Sequence, residues 1–187
     1  MIDVNQLRKG TTFLADDKLY RVVNYSHSKP GRGKATIRVT VRDLRTGSTT
    51  ELTYSSGQTV EDVRVEAQVV QYLYNDGEFA IFMDNATFEQ PQLRLDVFGD
   101  DATWLKEGFE MKLLSFRGEI IDFELPKSAE YEVIDVEFAV AGDRANNPTK
   151  KIVLETGREV SAPMFINVGD VVKVNIENAE YVTRVNS

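Results

Sequence analysis

The chain has 187 residues, with 30 acidic side chains against 22 basic ones for a net charge of −8, one histidine and no cysteine. It therefore cannot build a disulfide, a zinc–thiolate site, an iron–sulfur cluster, a cysteine nucleophile or a two-histidine metal site. An apolar fraction of 42% with 28% charged residues belongs to a folded, soluble chain, long enough for one compact body or for two or three small modules.

Met1-Ile-Asp-Val-Asn-Gln-Leu-Arg-Lys-Gly10 carries charge where a signal peptide would carry its apolar core, and no later apolar run reaches the about 18 residues of a membrane helix. The chain is read as cytoplasmic, without a membrane partner. From there the dominant period is two. Between residues 34 and 44, Ala35, Ile37, Val39 and Val41 share one face, and Lys34, Thr36, Arg38, Thr40 and Arg42 the other, which predicts a half-buried strand. Similar runs occupy 19–25, 50–54, 78–83, 111–116, 119–125, 129–138, 151–155, 170–176 and 180–185. Turn signals such as Asn75-Asp-Gly77, Arg117-Gly118 and Thr156-Gly157 separate them. One segment, 99–108, predicts a short helix, with acids at its start, a late lysine and a glycine stop.

Many short strands at this spacing predict an all-β chain of small barrels. The pattern shifts at Arg64 and Pro126, dividing the chain into 1–64, 65–126 and 127–187. About sixty residues apiece suits an SH3-like barrel followed by two OB-like barrels, although periodicity leaves the barrel types open and no residue-level repeat links the last two. The first segment holds 11 basic and 7 acidic residues, a net +4; the second holds 4 and 13, a net −9; the third 7 and 10, a net −3. Such a balance repels phosphate over most of the surface, while one basic end can still be presented to it.

That end has a distinctive hairpin. His27-Ser-Lys-Pro-Gly-Arg-Gly33 joins the runs at 19–25 and 34–44. Pro30-Gly31 suits a tight turn, and the glycines flanking Arg32 keep the tip slim. Lys29, Arg32, Lys34, Arg38 and Arg42 could track a phosphate backbone. A solvated basic hairpin fits the same residues. His27 lies between Ser26 and Ser28, but adjacency in sequence does not make a triad. The middle carboxylates lack a calcium-loop pattern and suit a solvated acidic face better than a metal or glycosidase site. Tyr72, Tyr74, Phe79 and Phe82 alternate as core strand residues do, and Trp104 is expected to pack rather than stack on a base.

The hairpin resembles the Lys-Pro-Gly-Lys-Gly loop of bacterial elongation factor P. Along the chain, Gln6-Leu-Arg-Lys-Gly10, Asp43-Leu-Arg-Thr-Gly47, Gln71-Tyr-Leu-Tyr-Asn-Asp-Gly77, Phe82-Met-Asp-Asn-Ala-Thr-Phe-Glu-Gln90 and Glu124-Leu-Pro126 resemble that family's segments in order. So do Glu155-Thr-Gly157, Pro163-Met-Phe-Ile166, Val168-Gly-Asp170, Lys173-Val174 and Glu180-Tyr-Val-Thr-Arg-Val185. The resemblance implies a KOW/SH3-like domain and two OB domains in an L shape. It also implies a non-enzymatic, monomeric factor without cofactor or metal that binds the 70S ribosome between the P and E sites and relieves stalls at proline runs.

On that resemblance, Lys29, Pro30, Gly31, Arg32, Gly33 and Lys34 would lie along the CCA end of the P-site peptidyl-tRNA. Arg38 and Arg42 join them as cations for tRNA or rRNA backbone, and Tyr181 and Arg184 match residues that meet the tRNA. The family's modified lysine falls on Arg32, which removes lysine modification and leaves a bare arginine or one altered by an arginine rhamnosyltransferase. The small-subunit loop falls on Gly142, Asp143 and Arg144, where only the first two residues match. An elongation-factor-P-like paralogue and an off-ribosome RNA- or protein-binding KOW/OB module are the alternatives.

Overall fold

A computed structural model describes residues 1–28, 35–137 and 148–185. Strands β1 (Ile2–Asp3), β2 (Thr12–Ala15), β3 (Lys18–Ser28), β4 (Thr36–Asp43), β5 (Thr49–Ser55) and β6 (Thr59–Asp62) form a first sheet in the order β1-β6-β2-β3-β4-β5. Strands β7 (Glu66–Asn75), β8 (Phe79–Asp84), β9 (Gln92–Arg94), β10 (Glu110–Phe116) and β11 (Glu119–Glu124) form a second, ordered β11-β10-β7-β8-β9. Strands β12 (Ser128–Val136), β13 (Thr149–Leu154), β14 (Glu159–Pro163), β15 (Val171–Asn175) and β16 (Glu180–Val185) form the third, ordered β14-β13-β12-β15-β16. The all-β expectation holds.

The chain gathers into two compact units, one of residues 1–68 with 113–122 and one of 69–112 with 123–187. In the first, the alternation read in the sequence becomes a core. Ile37, Val39 and Val41 of β4 are fully enclosed with Val4, Leu7, Phe13 and Val22, and the rings of Phe13 and Tyr20 lie 5.9 Å apart. A smaller cluster of Leu19, Leu44, Val63 and Ile121 lies in the same unit. Within it, Arg21 Nη1 donates to Asp122 Oδ2 at 2.7 Å.

The second unit is centred on aromatics. Tyr72, Phe82, Phe98 and Phe123 form a chain of ring contacts at 5.7, 6.1 and 4.3 Å. Tyr72 and Phe82 are core, as expected, whereas Tyr74 is exposed. The reason is a bulge between Tyr72 and Tyr74, which breaks the alternation the sequence suggested. Trp104 is fully buried against Tyr131, whose hydroxyl donates to the Trp104 carbonyl at 2.8 Å. Burial first, and the Glu155 charge second, push the Tyr131 hydroxyl well above its ordinary value. The Arg158 guanidinium carbon lies over the Trp104 ring, 3.9 Å from its centre.

The expected helix at 99–108 is displaced. A single α-turn spans Leu95–Phe98, and a 3-10 helix follows over Gly99–Trp104. Leu95 donates its N–H to the Glu78 carbonyl at 2.9 Å, which ties the start of the helical segment to the end of the β7–β8 turn. Acids in the early turn do favour helix there, as read, but packing of Phe98 starts the helix four residues sooner.

Candidate nucleic-acid interface

The β3–β4 hairpin pairs Ser28 with Thr36, Ser26 with Arg38, Asn24 with Thr40 and Arg21 with Arg42. On its other side β4 pairs Thr36 with Ser55, Arg38 with Thr53, Thr40 with Glu51 and Arg42 with Thr49. Directly opposed residues share a face, so these form one panel across three strands. The panel's strand positions hold hydroxyls, an amide, three arginines and one acid, Glu51, and of the arginines Arg21 is already held by Asp122. Hydroxyl and guanidinium donors are the groups that meet phosphate and ribose. The sequence singled out Arg38 and Arg42 but not Arg21, Ser26 or Thr53, because cross-strand neighbours emerge only from the register.

Arg42 is held at the root of this panel by a turn. Asp43 is buried, and its Oδ1 accepts the N–H groups of Arg45 at 2.9 Å and Thr46 at 3.2 Å. Gly47 then donates its N–H to the Asp43 carbonyl at 2.8 Å with φ +73°. A Cβ on Gly47 would sit 3.9 Å from Arg42 Nη2, so the glycine serves the backbone's left-handed turn more than the space beside the arginine.

Tyr181 and Arg184 stand on β16. They are three positions apart, which in a regular strand would place them on opposite faces. Here the register shifts: Tyr181 pairs with Val174 and Arg184 with Val172, with Val182 the extra residue. The bulge therefore turns both side chains to one face. Arg184 Nη1 lies 3.8 Å from Asp170 Oδ2, and its guanidinium carbon 5.5 Å from the centre of the exposed Phe165 ring. Asp170 Oδ2 also accepts the Asn167 N–H at 2.8 Å, so the carboxylate that faces Arg184 is itself fixed by the loop. Asp170 and Phe165 were not foreseen as parts of this site; a bulge and a loop contact leave no mark in strand periodicity.

Arg38 and Arg42 belong to the first compact unit, Tyr181 and Arg184 to the second. The expectations for Lys29, Pro30, Gly31, Arg32, Gly33 and Lys34, and for Gly142, Asp143 and Arg144, lie outside the described residues. His27 is exposed at the end of β3, opposite Ile37. Among the described residues there is no group of three or more acidic or histidine side chains placed to hold a metal ion, and no helix is long and apolar enough to cross a membrane.

Three family models match the chain in succession. The elongation factor P KOW-like domain matches residues 3–60, the elongation factor P OB domain residues 65–123, and the elongation factor P C-terminal domain residues 129–184. The chain belongs to the elongation factor P family. It is thus a translation elongation factor, with a KOW-like N-terminal domain ahead of OB domains. Among solved structures it is similar to eukaryotic translation initiation factor 5A from Methanococcus jannaschii, at 25% identity and TM-score 0.46 over 65% of this chain and 94% of that one. A translation initiation factor 5A family protein from Naegleria fowleri matches at 20% identity and TM-score 0.40, over 66% of this chain and 96% of that one. Both likenesses are partial in this chain.

Proposed function

We propose that this elongation factor P binds the 70S ribosome between the P and E sites and promotes peptide-bond formation at proline runs. In this reading residues 1–64, 65–126 and 127–187 act as three domains. The observation that carries it is the joint one of three consecutive family matches and an arginine- and hydroxyl-rich panel on the hairpin that bears Lys29, Arg32 and Lys34. The panel's donors suit RNA backbone, and in this reading residues 29–34, which follow β3 in sequence, meet the CCA end of peptidyl-tRNA.

The chemistry asked of the factor is positional. Proline is a restricted nucleophile, and holding the peptidyl-tRNA in an attack-ready geometry lowers the entropic part of the barrier without any acid, base or nucleophile from the factor. Arg32 supplies the cation at the tip, bare or carrying a sugar added by an arginine rhamnosyltransferase. Tyr181 and Arg184 hold tRNA or rRNA backbone from the last domain, and Gly142, Asp143 and Arg144 face the small subunit. The departure at Arg144 favours one second reading, an elongation-factor-P-like paralogue with a different preference among stall motifs.

Binding to 70S particles with tRNA in the P site tests the reading. The protein is expected to co-sediment with them. Arg38→Ala should weaken binding about threefold to tenfold and reduce the salt slope by about one, as loss of one phosphate contact does. Absence of binding at low salt would favour the off-ribosome module instead.

A further inference from the structure

Three turns of this chain share one hydrogen-bonding plan, and one of them carries an unexpected residue. In the turn after β4, Asp43 Oδ1 accepts from Arg45 and Thr46, the Asp43 carbonyl accepts from Gly47, and the Asp43 N–H donates to Ser48. The turn after β8 repeats this bond for bond. Asp84 Oδ1 accepts from Ala86 at 2.7 Å and Thr87 at 2.9 Å, the Asp84 carbonyl accepts from Phe88 at 3.0 Å, and the Asp84 N–H donates to Glu89 at 2.9 Å. After β15, Asn175 Oδ1 likewise accepts from Glu177 and Asn178.

The fifth residue of each turn has positive φ: Gly47 at +73°, Phe88 at +60° and Ala179 at +56°. Glycine adopts such a backbone without cost, alanine pays for its Cβ, and phenylalanine is the outlier, because a bulky side chain is seldom found in the left-handed region. Nor is the ring repaid by burial, since Phe88 is 72% exposed. A strained, solvated aromatic where the same turn elsewhere accepts glycine calls for a contact outside the chain.

Charge selects the kind of contact. From Glu66 to Leu93 the sequence contains five acids (Glu66, Asp76, Glu78, Asp84 and Glu89) and neither lysine nor arginine. Nucleic-acid sites that stack bases on aromatics set them in a cationic groove, and this surface is the reverse. At the turn itself Asn85 Nδ2 donates to Glu110 Oε2 at 3.2 Å and Thr87 Oγ1 to Glu89 Oε2 at 3.4 Å, and an exposed ring on a turn that bears carboxylates suits a guanidinium or ammonium group, which the ring face and the acids attract together.

We propose that Phe88 is a docking residue for an arginine- or lysine-bearing protein surface on the ribosome, an inference that rests on the ribosome binding proposed above. The test places a photo-crosslinking benzoylphenylalanine at position 88, and separately at position 38, and irradiates each with purified 70S ribosomes holding P-site tRNA. Position 88 is expected to crosslink to a ribosomal protein and position 38 to RNA. Crosslinking of position 88 to RNA alone, or to nothing while position 38 reacts, overturns the inference and leaves the proposed function standing. Failure at both positions overturns both.

Phe88→Gly gives a second reading with opposite signs for fold and function. Relief of backbone strain should raise the melting temperature by about 3 °C. Ribosome affinity should fall about fivefold, and Phe88→Tyr, which keeps the ring, should restore it. Unchanged affinity for Phe88→Gly contradicts a docking role.

Discussion

Two ion pairs of the first compact unit show how burial, not count, decides what a charge contributes. Asp122 is 5% exposed on its side chain and 2.7 Å from Arg21, whereas Arg45 and Glu119 are 3.8 Å apart and both more than half exposed. Removing the buried carboxylate takes a charge-assisted hydrogen bond from Arg21, which is only 29% exposed, so Asp122→Ala should cost about 2 kcal/mol in urea unfolding. Glu119→Ala should cost less than about 0.5 kcal/mol. In the second unit, Glu155 illustrates the competition behind a pKa. Burial pushes its carboxyl up, but the Lys106 ammonium at 2.7 Å and the Glu132 N–H at 3.0 Å outweigh that and leave it below the ordinary 4.5. A depressed folded value means the stabilisation is present above pH 4.5 and disappears as pH falls through the folded value. Glu155→Gln should therefore be less stable than the parent at neutral pH, and the gap between their denaturation midpoints should narrow as pH falls below 4.5. A gap that persists unchanged would contradict the carboxylate's part.

At the scale of elements, the turn between β2 and β3 is the clearest case of structure the sequence concealed. Asp16 and Asp17 both have positive φ, at 50° and 60°, the pattern of a tight type I′ hairpin turn. Glycine is favoured at its second position, so Asp17→Gly should raise stability by about 0.5–1 kcal/mol, read as a higher urea midpoint at unchanged slope. Because that turn carries no glycine, β2 did not stand out beforehand, and neither did β6 or β14, whose runs are short. Residues 36–43 were legible, since one face is fully enclosed and alternation survives in the sequence. Where bulges intervene, at Val23, near Tyr74 and at Val182, alternation misleads, and only the register shows which side chains share a face. The candidate site divides the same way. Arg38, Arg42, Tyr181 and Arg184 could be named from motifs, but the serine and threonine panel, Asp170 and Phe165 come from pairing and loop packing.

For the molecule as a whole, the uneven charge and the family match converge on one picture. A net +4 over residues 1–64 sits in a chain of net −8, so the hairpin end is the part an RNA-rich environment attracts. The acidic middle segment keeps the rest from adhering to phosphate and, with Phe88, suits cationic protein. Membership of the elongation factor P family makes translation the setting. The central claim is that the cation of Arg32 at the hairpin positions peptidyl-tRNA for a proline nucleophile. Reconstituted translation of a reporter with three consecutive prolines tests it most directly, run without factor, with recombinant protein, with protein purified from its native host, and with Arg32→Ala. Full-length product should rise with the protein, in its bare or its native form, and return to the factor-free level with Arg32→Ala. Rescue that survives Arg32→Ala, or no rescue by either form, would contradict the claim.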